Sequence, residues 1–382
     1  MKRYKITMKL LSPVHIGTGE DFEPMNYVMD TDTITTKDGK SIEGKFLYVF
    51  DEMDFFKSLS PSDKIEFTKI ASLTTPDAVF KLHSFVRTRK EIAKDAKKAK
   101  ILVDQKVYKD YQDKVGKVVQ KEGLGINKAN SYYQIPSKVS NQGPSKDVFA
   151  KFSIAKTFAN PNSHKAIIPA SSIKGAISTA YQEFLFKKLR DYSKVKEKML
   201  SSDENNIFKN LLLSDSNEIK TTRIAYAKNI KRHNKKDGSE PKEGLNTRLQ
   251  VISRANKDIS ITLNIKENEP NINDIKKACN EHFLPILFSH LDDEFAKKSI
   301  KDDFLDICSN LENNLKDNEF VLRIGKHSGA RATTIDGMRK ITILLGKNKG
   351  SELAKEETTT WIVEGDQMPL GWVLCSYEEL KD

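Results

Sequence analysis

Cysteine is scarce in this 382-residue chain: Cys279, Cys308 and Cys375 are the only three, odd in number and far apart. That spacing excludes a disulfide framework and a zinc ribbon. Cys279 and Cys308 fall on apolar helical faces and read as small buried hydrophobes. No segment is both apolar and long enough to span a bilayer, and in "MKRYKITMKLL" Thr7 and Lys9 interrupt what a secretory signal would need. The expectation is a cytoplasmic protein without a membrane partner. No glycine run has the spacing of a phosphate loop or a dinucleotide fingerprint, and no acidic group is spaced as a metal site. A nucleotide-binding enzyme is therefore remote, and neither metal nor cofactor is expected. No repeat of fixed short period is visible, which sets aside solenoids and propellers.

Positive charge is in excess. Lys and Arg number 64 against 53 Asp and Glu, a formal net charge of +11, which suggests a polyanionic partner. The first strand is marked by Tyr4, Ile6, Met8 and Leu10 alternating with Lys5, Thr7 and Lys9, and Ser12-Pro13 ends it. After "HIGTGE" come strand-like pieces at 26–36 and 42–50 around the turn "KDGK". Lysine and arginine then dominate, and "RTRKEIAKDAKKAK" reads as an exposed helical part of a basic insertion over about 81–150.

In "IIPASSIKGAIS" (167–178), Ser171 and Ser172 are suited to cap a helix whose apolar positions run through Ile173, Ile177, Tyr181, Phe184 and Leu189. Lys174 and Gly175 sit awkwardly in its first turn, because a cation there opposes the helix dipole and glycine weakens the helix by about 1 kcal/mol. An anion such as a phosphate would compensate, with Gly175 allowing close approach. Further on, "LQVIS" and "ISITLNIK", separated by "RANKD", read as a hairpin. Amphipathic helices follow from residue 273 and over 301–315, with strands at 320–324, 341–345 and 371–376. Setting insertions aside, the order is strand, helix, strand, strand, helix, strand: an α+β, ferredoxin-like antiparallel sheet with helices, the framework of RNA-recognition (RRM) domains. We divide the chain into 1–200, an N-terminal RRM-like part, and 201–382, which completes or repeats it.

Three glycine turns stand out: "PVHIGTGE" with His15, Gly17 and Gly19, "PASSIKGA" with Lys174 and Gly175, and "RIGKHSGARATT" with Arg323, Gly325, Lys326, His327 and Arg331. In a ferredoxin-like fold these loops can gather at one sheet edge and form a basic groove. Each has a plainer reading: His15 can satisfy carbonyls of its own turn, and 323–331 can be a solvated basic loop. Tyr27, Tyr132 and Tyr133 are the aromatic candidates for stacking on bases.

The motifs "MKLLSPVHIGTGE", "IPASSIKGAIS", "LLLSDS", "RIGKHSGARATTI" and "MPLGWV", in this order, resemble the repeat-associated mysterious protein (RAMP) superfamily of CRISPR systems. The likeness is to the head subunit of type III-A Csm complexes, which holds the 3′ side of the guide RNA. The resemblance implies that His15–Gly19 and Ile168–Ser178 face the guide backbone, giving Lys174 its anion, and that Gly325–Thr334 contacts RNA or a neighbouring subunit. Ala170 and Ser178 depart from the glycine and arginine usual there. The implied partners are the guide (crRNA), the backbone and other Csm subunits, and host nucleases that trim the guide, with a part in its maturation and in antiviral defence. The rival reading is an endoribonuclease, with His15 as general base or with Asp30 or Asp32 assisting target cleavage. No second histidine or tyrosine is placed for acid catalysis in the sequence, and we expect binding without cleavage.

Overall fold

The computed structural model describes residues 1–35, 38–74, 78–122, 153–202, 206–231, 246–292, 298–344, 350–354 and 357–381. The opening strand, Lys2–Leu10, is the middle of a five-stranded sheet in the order Glu319–Arg323, Trp372–Glu379, Lys2–Leu10, Ile259–Ile265, Leu211–Leu213. Every neighbouring pair is antiparallel. Alternation fixes the register: Ile6 lies opposite Ile261 on one side, and Met8 opposite Cys375 on the other. Tyr4, Ile6, Met8, Leu10 and Ile259, Ile261, Leu263, Ile265 all face one core, roofed by helices Ala170–Leu189, Ile272–Asp292 and Asp302–Asn314. Each such side chain contributes about 1.5–3 kcal/mol by burial. Cys279, Cys308 and Cys375 lie in this core as free thiols, and burial pushes the Cys308 thiol up to about 12.

The first, second, third and last strands of this sheet, with helices 170–189 and 272–292, follow the ferredoxin-like order, and Glu319–Arg323 is added outside the last strand. That added edge is closed by one side chain. Asn280 accepts the Val321 N–H at 3.0 Å and donates to the Glu319 carbonyl at 3.1 Å, standing in for a further strand.

A second, mixed sheet runs in the order Gly17–Phe22, Ile154–Thr157, Asn246–Ile252, Thr222–Lys231, Lys97–Val103, Ser41–Phe50, Tyr27–Thr35, with Thr359–Val363 joined to the far half of Thr222–Lys231. Each sheet draws strands from both sides of residue 200.

Two expectations fail here. The segments "LQVIS" and "ISITLNIK" form no hairpin: the first pairs with Thr222–Lys231 in the second sheet, the other with Lys2–Leu10 in the first. Leu249, Gln250, Val251 and Ile252 are buried on both faces, whereas Ile259–Ile265 buries alternate residues, so the two segments suit different sheets. The lysine-rich run is not one exposed helix either. After helix Lys90–Asp95 it becomes the strand Lys97–Val103, because Ile101 and Val103 enter a core and the lysines meet carboxylates: Lys98 with Asp54, Lys100 with Asp32, Lys94 with Asp30. Residues 123–150 of the proposed insertion, including Tyr132 and Tyr133, lie outside the described residues. Among the described residues no helix is long and apolar enough to cross a membrane.

Candidate nucleic-acid interface

The chain leaves the opening strand through Leu11–Ile16, and this segment is the seam between the sheets. Leu11 and Ser12 N–H groups reach the Trp372 carbonyl, at 2.9 and 3.3 Å, and Val14 exchanges hydrogen bonds with Ile252 of the second sheet, at 3.2 and 2.7 Å. The glycine-rich loop docks on this seam, where the Lys326 N–H donates to the His15 carbonyl at 2.9 Å. Gly325 has φ +88, and a methyl group there would collide with that same carbonyl oxygen. The "MPLGWV" turn closes the seam from the other side: Gly371 donates to the Pro13 carbonyl at 2.9 Å and accepts from Ile324 at 2.8 Å. Three of the sequence motifs therefore meet at one place, with Gly17–Glu20 exposed beside them.

His15 lies within this seam, fully buried, its Nδ1 2.8 Å from the Gln250 carbonyl. Burial holds its pKa below the usual histidine value, nearby Lys326 adds to the depression, and the Gln250 bond and Asp21 oppose it. The carbonyl it satisfies belongs to a strand of the second sheet, not to its own turn. His327 stacks on Trp361 with ring centroids 4.2 Å apart and an interplanar angle of 33°. Its pKa is lowered to about 4, by burial first and then by Lys326 and His15. Lys326 is exposed and has no ion-pair partner among the described residues.

The helix start is organised differently from the sequence expectation. Pro169, not Ser171 or Ser172, occupies the cap position, with no side-chain cap of its own. The Ala170 N–H donates to the Asp215 carboxylate at 2.7 Å, and Ser216 Oγ accepts the Ile168 N–H at 2.9 Å, so "LLLSDS" supplies the anion that the helix dipole favours. Lys174 is turned onto the chain's own backbone. Its ammonium donates to the Leu211 carbonyl at 2.7 Å over the Phe208 ring, and burial lowers its pKa. Gly175, by contrast, is exposed, and a methyl group on it would touch nothing within 4 Å.

Arg323 is also turned inward. It is 3% exposed, its Nε donates to the Leu370 carbonyl at 3.1 Å, and its guanidinium lies 5.0 Å from the Trp372 ring centre. Arg331 bridges the glycine-rich loop to a helix through Ser289 Oγ at 2.7 Å. Its backbone N–H meets the buried Glu357 carboxylate at 3.2 Å. Glu357 thus fills from inside the concave turn at Gly329–Arg331. Neither Asp215 nor Glu357 was singled out by sequence. Asp215 had a signal in "SDS", polar residues ending an apolar run, whereas Glu357 stands in the unremarkable run "KEETTT".

The carboxylates considered for cleavage are engaged too. Asp30 is buried and held by Lys90 and Lys94 at 3.0 and 3.1 Å; burial would raise its pKa, but those bonds bring it below the usual value. Asp32 is held by Lys100 and the Tyr48 hydroxyl, which lower it to about 2. Tyr27 is 1% exposed and offers no stacking face. No group of three or more His, Cys, Asp or Glu among the described residues is arranged to hold a metal ion.

The sequence signature of the RAMP superfamily matches residues 7–328, most of the chain and nearly all of the elements just described. The chain belongs to the RAMP superfamily. Its fold is similar to that of a chain in the cryo-EM structure of a Csm–crRNA–target RNA ternary complex of a type III-A CRISPR–Cas system, with a TM-score of 0.59, 16% identity, and 98% of this chain and 100% of that one covered. It is similar also to the crystal structure of T. onnurineus Csm5, with a TM-score of 0.51, 14% identity, and 96% and 99% covered. No curated protein matches this RAMP chain by sequence.

Proposed function

We propose that this RAMP protein is the RNA-binding head subunit of a cytoplasmic type III-A Csm complex, capping the 3′ side of the crRNA and contributing to its maturation and to antiviral defence without itself cutting RNA. Its partners are the crRNA, the backbone and other Csm subunits, and host nucleases that trim the guide. RAMP membership and fold likeness along the full length to chains of Csm origin support the complex. The observation that supports RNA contact is the seam: an exposed Lys326 over an exposed glycine turn, with the five-stranded antiparallel sheet behind it.

Crosslinking within the purified complex tests the assignment, and contact with the 3′ end of the guide is the expected result. Contact confined to the 5′ end overturns it. For RNA contact, Lys326→Ala lowers the salt slope of single-stranded RNA binding by about 0.7; an unchanged slope refutes the seam as a phosphate contact. The approach of His327 to His15 favours a second reading, cleavage by paired imidazoles, since it supplies the partner histidine. Against it, Nε2 of His15 is buried, and in the RNA-free protein burial lowers the pKa of both rings, so neither stands ready there as a protonated acid. Metal-independent products from guide precursor, lost in His15→Ala, would establish that reading. Divalent-dependent cutting lost with Asp30 or Asp32 would implicate those carboxylates.

A further inference from the structure

One corner of the seam is not explained by the contacts that hold the fold. The Nδ1 of His15 is fixed by the Gln250 carbonyl, which only accepts, so Nδ1 carries the hydrogen and Nε2 is the bare lone pair of the neutral ring. That Nε2 is buried and meets no partner among the described residues. Polar atoms buried in this way ordinarily have a partner, and an exception calls for an explanation. Gly17 lies directly beside it: a methyl group there would be 3.4 Å from Nε2 and 3.1 Å from Cδ of Lys326. The stem of Lys326 and the His15 imidazole therefore both flank Gly17, and Lys326 itself is exposed. His327 follows in the chain, backed by Trp361. The charged groups that act on the two rings are Lys326, Asp21 and the rings themselves.

We propose that this corner, between the Gly17 turn and Lys326–His327, seats one phosphodiester of RNA, gripped by Lys326 and by the His15 and His327 imidazoles once the phosphate draws protons onto them. The inference rests on the RNA-binding reading above and adds proton linkage to it. Burial first, and then nearby like charge, lowers the pKa of both rings in the free protein, and an anion in their midst opposes that shift. Each ring then becomes a donor toward the phosphate, a charge-assisted bond that the neutral Nε2 cannot make. If binding restores His327 from about 4 to its ordinary 6.5, affinity rises about tenfold between pH 7.5 and pH 5.5. A seat made by lysine alone gains nothing over that interval.

The test uses the full chain and a Cy5-labelled single-stranded RNA 12-mer, with anisotropy at pH 7.5 and 5.5 at fixed ionic strength. A parallel NMR titration follows histidine ring nitrogens with and without the RNA. The expected result is a tenfold gain in affinity at the lower pH, most of it absent in His327→Phe, which keeps a flat ring against Trp361 but takes no proton. In the wild type, RNA should raise the titration midpoints of His15 and His327. RNA that binds while leaving both midpoints unmoved, or an equal pH gain in His327→Phe, overturns the proton-linked seat and leaves RNA binding standing. Absence of binding to the wild type at both pH values overturns the RNA-binding reading itself. The wild-type NMR arm does not depend on a variant folding.

Discussion

Gly175→Ala separates what the fold needs at the helix start from what a ligand needs. The residue is the sixth of helix Ala170–Leu189, regular helix follows it, and a methyl group there meets nothing within 4 Å. Alanine in a helix interior is favoured over glycine by about 0.8–1.0 kcal/mol, through lower backbone entropy in the unfolded chain. The substitution should therefore stabilise the isolated protein by about 1 kcal/mol, raising its midpoint in thermal or urea unfolding by about 2 °C or the equivalent. A glycine where the fold alone would be better with alanine suits close approach by something outside the chain. The same variant should then bind guide RNA more weakly while melting higher. A variant that melts lower refutes the reading of this site as unobstructed helix. A variant that melts higher and binds RNA as well as wild type refutes the approach of a backbone to Gly175.

Lys174→Ala removes a hydrogen bond to the Leu211 carbonyl and should cost about 1 kcal/mol in urea unfolding while leaving the salt slope of RNA binding unchanged. Asp215→Ala uncovers the Ala170 N–H and should lower stability by about 1–2 kcal/mol, with Asp215→Asn restoring most of it. Glu357→Ala leaves Arg331 half-buried without its carboxylate and should cost about 3 kcal/mol, seen as a lower urea midpoint. Burial pushes the Glu183 carboxyl up, but bonds from His282, Lys187 and the Asp336 amide outweigh it and hold the pKa at about 2. Its folded value lies below the ordinary 4.5, so it contributes up to about 3 kcal/mol above pH 4.5 that is lost as pH falls toward 2, and Glu183→Gln should flatten unfolding free energy against pH over that window.

The parts of the fold legible in the sequence are those where one face alone is buried. Lys2–Leu10 and Ile259–Ile265 announce themselves by strict alternation, and the helices by the apolar spacing that packs against them. Asn246–Ile252 is buried on both faces, so its pattern carries no hint of which sheet it joins. Lys97–Val103 is hidden by its lysines, whose acidic partners lie more than forty residues away in sequence at Asp54 and Asp32. At the site, sequence identified the loops but not the direction of their side chains. Arg323 ends a strand in which Phe320, Val321 and Leu322 are buried in succession, and its Nε donates to the Leu370 carbonyl, which holds the guanidinium inward. Only the assembled tertiary structure supplies that turn.

Of the three glycine-marked loops, two have backbone amides already met by the chain's own carboxylates: Asp215 at the helix start and Glu357 inside the glycine-rich turn. Such internal anions fix the loops at their backbone amides, which is what a rigid platform needs, but they remove those amides from competition for RNA. Lys326, the exposed lysine of the glycine-rich loop, stands at the seam where both sheets and three motifs converge. A phosphate there touches loops from either sheet, so binding and sheet docking reinforce one another. One such contact is weak in isolation, which is why the free chain should bind RNA poorly and gain stability when neighbouring subunits align the guide along it. If the isolated chain bound RNA as tightly as the assembled complex, or if assembly left its unfolding midpoint unchanged, that coupling would be absent and the seam would be a structural joint alone.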